Sequence, residues 1–147
     1  MESNWPNCPR YFRSDYQNLK TKFTGAENIE NNWSQSMQDM FVLSMLDGKR
    51  NGVYVEIGAD QPRVISNSYL LEKDFDWAGI SFELDGDKVI YFNSIRRNKC
   101  LCEDATTYDY KFLFEDRNFP KQIDYLQLDI DPAEGTLAAL KALPLDD

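Results

Sequence analysis

The chemistry this chain can do rests on four acidic positions: Glu56, Glu83, Asp104, and Asp129 or Asp131. Each falls at or near the end of a short run rich in β-branched and aromatic residues. These runs lie in Gly52-Val-Tyr-Val-Glu-Ile-Gly-Ala-Asp-Gln-Pro62, Trp77-Ala-Gly-Ile-Ser-Phe-Glu-Leu-Asp85, Lys99-Cys-Leu-Cys-Glu-Asp-Ala105 and Ile123-Asp-Tyr-Leu-Gln-Leu-Asp-Ile130. Such runs read as buried strands. Carboxylates drawn together repel one another, so something bound there must offset them: hydroxyls, amines or a cation. Glu83, one strand and one connection beyond the bend at Gly58, stands where nucleoside-binding folds place the carboxylate that accepts from ribose hydroxyls. Asp104 can accept from an adenine amino group, with Ala105 leaving room for a flat base. Glu56, inside the first run, can orient the amides of the following turn or meet an ammonium through water. Taken singly, each acid reads equally well as a helix cap or a solvated loop residue; four in register shift the balance.

The elements between the runs bring these acids to one place. Ser36-Met-Gln-Asp39 has a capping-box pattern, and Met37, Met40, Phe41 and Met45 follow at helical spacing until Gly48, so a helix over about 37–47 with a buried methionine stripe is expected. A second helix follows Ser66 or Asn67, either of which can cap it, and a third covers 86–97. A weaker helical stretch spans 108–116. Asp131-Pro-Ala-Glu134 opens the last helix with an acidic cap and an early proline, and Leu137 and Leu140 mark its expected buried side. Four strands alternating with helices predict an α/β fold with a parallel sheet, whose strand ends share one edge. Residues 1 to 33 show no sustained period and read as an arm or cap, whose aromatics Trp5, Tyr11, Phe12, Tyr16, Phe23 and Trp33 either pack on the domain or cover a ligand.

Composition narrows the function classes. At 147 residues the chain suits one domain. Its formal charge of −9, with no cationic cluster beyond pairs such as Arg96-Arg97, opposes binding to nucleic acid. Histidine is absent, which removes imidazole from every catalytic scheme and from any zinc site, and no metal ligands are assigned. The three cysteines, Cys8, Cys100 and Cys102, lack C-x-x-C spacing and read as free core thiols. No apolar run approaches the ~18 residues of a membrane span, so a soluble, cytoplasmic protein with no membrane partner is expected.

The combination of Ser34-Gln-Ser-Met-Gln-Asp39, Val55-Glu-Ile-Gly-Ala59, Phe82-Glu-Leu-Asp85, Glu103-Asp-Ala105 and Asp124-Tyr-Leu-Gln-Leu-Asp-Ile-Asp131 resembles the FkbM-like family of S-adenosylmethionine-dependent methyltransferases, over roughly 34–143. The resemblance implies a Rossmann-like sheet of the class I methyltransferase type in a domain over 34–147, with its first four strands in the order 3-2-1-4. It places Gly58 and Ala59 against the methionine part of S-adenosylmethionine, Glu56 near its amino group, Glu83 on the ribose, and Asp104 with Ala105 at the adenine. It also brings Asp60 and Leu84 into the cofactor-binding set. Asp129 or Asp131 would then be the base, or hold a cation, for a hydroxyl acceptor, a sugar or other small molecule. Two features depart from the family: Pro62 stands where its first turn usually has glycine, and three further strands follow the fourth in the family. The expectation is a fragment of a longer protein, or an exposed fourth-strand edge covered by a second copy in a homo-oligomer. Alternatives are a non-catalytic module that keeps the fold, and another nucleotide-binding Rossmann-like protein, against which the single-glycine turn counts.

Overall fold

The computed structural model describes residues 22–145. Cys8 and the aromatics Trp5, Tyr11, Phe12 and Tyr16 lie outside the described residues. Four strands, β1 (Val53–Ile57), β2 (Ala78–Glu83), β3 (Lys99–Cys102) and β4 (Tyr125–Leu128), form one all-parallel sheet in the order β3-β2-β1-β4. Between and around them run α1 (Gln38–Met45), α2 (Tyr69–Phe75), α3 (Gly86–Ile95), a π-helical turn (Phe112–Asp116) and α4 (Ala133–Ala142). The α/β alternation and the strand order agree with the sequence reading. The strand cores are shorter than the apolar runs, and the stretch at 108–116 becomes a single wide turn.

Strand pleating divides the core into two layers. On one face Tyr54 packs with Met40 and Leu43 of α1, Leu70, Leu71 and Phe75 of α2, and Trp77, while Cys100 meets Val89 and Phe92 of α3. On the other, Val55, Ile57, Ile80 and Phe82 pack with Tyr110, Leu113, Ala139 and Leu143. Phe23 joins the first layer, its ring 6.4 Å from that of Phe75.

The structure corrects several local expectations. The N-cap of α1 is Met37 in the left-handed region (φ 65°), and no side chain caps it there. The reciprocal exchange involves Ser34 instead: Asp39 accepts from the Ser34 hydroxyl and amide and from the Trp33 amide, while the Ser34 hydroxyl accepts from the Asp39 amide. This anchor rotates α1 so that Asp39, Met40, Val42 and Leu43 face inward, leaving Phe41 and Met45 exposed. Met40, Phe41, Val42 and Leu43 are consecutive and so lie on all sides of the helix, and the methionine spacing alone does not choose its inner face. Gly48 does end this region, at φ 66°, where its amide bonds to the Leu43 carbonyl.

At α2 the N-cap position is Ser68, without a side-chain cap bond, and the Ser66 hydroxyl accepts from the amides of Ser68 and Tyr69. At α4 the N-cap is Pro132, not Asp131; the Thr136 hydroxyl closes this end by accepting from the Ile130 amide and donating to the Ile130 carbonyl. The helix lies close to the sheet through small residues: Ala139 is buried and Leu143 follows it, so Leu137 and Leu140 turn outward, contrary to expectation. Cys100 is a buried free thiol, as read, and burial pushes its pKa up to about 12. Cys102, on the same strand, is exposed because β3 ends there.

Candidate functional site

The bend after β1 is clamped between the ends of two neighbouring strands. Gly58, at φ 82°, and Ala59 both donate their amides to the Phe82 carbonyl of β2, at 3.0 and 3.1 Å. On the other flank the Asp129 amide, just past β4, donates to the Ile57 carbonyl at 3.0 Å. Parallel pairing forces this arrangement, since β1 lies between β2 and β4 and all three end at one edge.

Glu83, the last residue of β2, faces this bend. Its Oε2 accepts from the Asp60 amide at 3.0 Å, and its Oε1 accepts from the amides of Leu84 (2.8 Å) and Asp85 (3.0 Å). Oε1 therefore has both lone-pair directions occupied, while Oε2 keeps one for a further donor. Asp60, itself in the left-handed region (φ 48°), pairs through Oδ1 with Lys88 Nζ in the first turn of α3. That hydrogen bond is the main reason the Lys88 ammonium is held above its ordinary pKa. Asp85 caps α3 by accepting from the amides of Asp87 and Lys88.

Glu56 lies below this edge rather than in the open crevice. Register places it in a transverse row with Ser81, Cys100 and Gln127, on the same face as Glu83. It is 2 % exposed, and its Oε2 accepts from the hydroxyls of Ser68 and Ser81, both at 2.8 Å. Burial raises its pKa, opposed by the Arg96 charge and the two hydroxyls. Asp104, two residues past β3, is exposed and accepts from the Thr106 amide and hydroxyl; the hydroxyl bond foremost holds its pKa below the usual value. Ala105 is buried in the second core layer beside Phe82 and Tyr110, whose hydroxyl donates to the Ala105 carbonyl at 2.8 Å. Leu84 is exposed next to Glu83, and Asp129 and Asp131 are both exposed.

Hydrogen bonds thus join Gly58 and Ala59 to the Phe82 carbonyl and Asp60 to the neighbouring Glu83 carboxylate, and main-chain contact adds Asp129. Glu56 sits beneath them, and Asp104 and Asp131 make no described bond to the group. The charge of each inner acid is offset from within the protein: Glu83 by three backbone amides, Asp60 by Lys88, Glu56 by two hydroxyls and the Arg96 charge. No motif marks Lys88 or Arg96 as part of a site in the sequence, because their acidic partners Asp60 and Glu72 lie far from them along the chain.

Among the described residues no group of three or more Cys, Asp or Glu is arranged to hold a metal, and no helix is long and apolar enough to cross a membrane. A cleft of about 230 Å³ lined by Lys111, Phe114, Glu115, Lys121 and Pro144 lies ahead of β4 and past α4, away from the carboxyl edge of the sheet. Compared with known proteins, the chain matches no family model, no curated protein and no solved structure.

Proposed function

We propose that this chain binds S-adenosylmethionine and belongs to a methyltransferase acting on a hydroxyl of a sugar or other small molecule. The observation that carries the reading is the joining of the Gly58 bend to the Glu83 carboxylate at the carboxyl edge of a β3-β2-β1-β4 parallel sheet. Ligands of open α/β sheets lie at that edge. The residues suit such a cofactor: Glu83 Oε2 has acceptor capacity left for a ribose hydroxyl, exposed Leu84 offers apolar surface to a flat base, and the exposed carboxylates of Asp129 and Asp131 favour a cationic ligand.

When bound, S-adenosylmethionine supplies a methyl group on an already activated sulfonium, so the chain's own contribution is alignment and a base. Glu83 fixes the ribose, the bend at Gly58 and Ala59 borders the methionine part, and Glu56 lies beneath its amino group. Asp104 serves the adenine end from the exposed position that a base-edge contact needs, whereas Ala105 is buried in the core and does not offer the base the room read from the sequence. Asp129, exposed at the strand end that flanks Gly58, is the first candidate to take the proton from an acceptor hydroxyl, and Asp131 the second. Titration calorimetry with S-adenosylmethionine and with its demethylated product tests the reading: heat and a raised melting temperature are expected, and neither effect with either compound would end it.

One observation favours a second reading, a binding module without turnover. Pro62 is buried in the turn where the resembled family usually has glycine, and the Asp60–Lys88 pair ties the same turn to α3. Binding of the cofactor with no methyl transfer to any offered hydroxyl compound would select it.

A further inference from the structure

We propose that Arg96 is a positioning residue for the crevice: through Ser68 it orients the Glu56 carboxylate, and through the Pro62 carbonyl it sets the path of the chain between β1 and α2. Its functional consequence rests on the cofactor reading above; its structural content does not.

Arg96 follows α3 in extended conformation, and its side chain is fully buried. All five guanidinium N–H groups can be assigned acceptors. Nε donates to Glu72 Oε2 at 2.8 Å; Nη1 donates to the Pro62 carbonyl at 2.9 Å and the Ser66 hydroxyl at 3.3 Å; Nη2 donates to the Tyr54 hydroxyl at 3.0 Å and the Ser68 hydroxyl at 3.1 Å. The rings of Phe92 and Tyr69 have centroids 4.8 and 5.4 Å from its central carbon. One planar fork thus ties β1, the loop after it and α2 together, a task that the three donors of a lysine point charge cannot reproduce.

The link to Glu56 follows from hydroxyl chemistry. A serine hydroxyl has one proton, and Ser68 donates it to Glu56 Oε2 while accepting from Arg96. With the guanidinium on its oxygen, Ser68 cannot turn to accept from elsewhere without losing that bond, so its proton is committed to Glu56. The groups bearing on Glu56 are the phenols of Tyr54 on β1 and Tyr125 on β4, Glu72 on α2, the Cys100 thiol on β3, the hydroxyls of Ser68 and Ser81, and Arg96. Arg96 is the cation of this set. It therefore favours the ionised carboxylate both through space and through Ser68.

A residue that merely fastened the core would alter melting without altering how Glu56 titrates, and the two roles separate on that point. In the full chain, Ser68→Ala and Arg96→Lys are compared with wild type by ¹³C NMR titration of the Glu56 carboxyl, and by calorimetry with the demethylated cofactor product. The expected result is a Glu56 midpoint raised by about one pH unit in Ser68→Ala, the size of one lost hydrogen bond to a charged group, together with binding weakened about tenfold. Ser68→Ala reads the Ser68–Glu56 bond and Arg96→Lys the part played by Arg96, with Arg96→Gln in its place if Arg96→Lys does not fold: a raised Glu56 midpoint is expected in the Arg96 variant, and an unchanged one overturns the role of Arg96. An unchanged Glu56 midpoint in Ser68→Ala overturns the relay whether or not any ligand binds. A raised midpoint in a protein whose wild type binds neither cofactor form supports the relay and overturns the cofactor reading instead. Wild-type binding that Ser68→Ala leaves within twofold overturns the proposed consequence for the site.

Discussion

An idealised Cβ at Gly58 falls 2.0 Å from the carbonyl oxygen of Asp129, so the bend after β1 and the end of β4 approach more closely than any side chain permits. The obstacle is main chain, held by the Asp129 amide bond to Ile57, and it cannot swing away as a flexible side chain would. Gly58→Ala, also strained by its φ of 82°, is expected to cost about 2–4 kcal/mol. Thermal melting should fall by roughly 5–15 °C; an unchanged melt would mean that β4 is not seated against β1 as described.

Glu83 organises its own surroundings before any ligand arrives, with three backbone amides pointing at its two oxygens. Glu83→Gln replaces one oxygen with an NH₂ that opposes at least one of those amides, and removes the charge a ribose hydroxyl would meet. Binding of the demethylated cofactor should weaken about 10–100-fold, the range for hydrogen bonds to a charged group. Calorimetry on a variant shown to be folded by circular dichroism decides it. Equal affinity would take Glu83 out of the site.

Asp124 joins the starts of β1 and β4: its Oδ2 accepts from the Val53 amide at 2.9 Å, its own amide donates to the Val53 carbonyl at 2.8 Å, and its Oδ1 pairs with Lys49. Burial pushes its pKa upward, but the Lys49 and Val53 bonds outweigh that and leave it below the ordinary value of 3.8. A depressed folded pKa contributes stability that is fully present well above the unfolded value and disappears as pH falls through the folded one. Urea midpoints should therefore show Asp124→Asn less stable at pH 7, by about 1 kcal/mol, with the gap from wild type closing below about pH 4. A gap that stays constant down to acid pH would show that the carboxylate charge is not what stabilises this junction.

The β4 edge carries Tyr125, Leu126, Gln127 and Leu128 without lysine or proline, and pairs only with β1 among the described strands. An unprotected edge of this kind invites pairing with another strand. Sedimentation at tens of micromolar is expected to show self-association, reversed by Gln127→Lys, which places a charge on the edge. A monomeric wild type at that concentration would remove the edge as a self-association surface.

Much of the scaffold is legible in the residues. The alternation of strand-like and helix-like runs requires crossover connections and a parallel sheet, and a parallel sheet brings every strand end to one side. The neighbourhood of Gly58 and Glu83 follows from that alone, and the structure joins them through Asp60. The fate of Glu56 does not follow in the same way. Its distance from the strand end is visible in the chain, but its near-complete burial depends on Ser68 and Ser81 from two other elements.

By itself, the sequence determined the strand–helix alternation, the single-glycine bend at Gly58, and the placing of acids at successive strand ends, because these depend on local periodicity and on sterics within a few residues. Only the tertiary structure decided that Phe41, Met45, Leu137 and Leu140 face outward, and that Arg96 gathers Tyr54, Pro62, Ser66, Ser68 and Glu72 around one buried charge. Periodicity states which side chains share a face but not which face meets a neighbour. A buried guanidinium is stabilised by all its acceptors together, and those acceptors come from parts of the chain that become neighbours only when the sheet and its helices close around them.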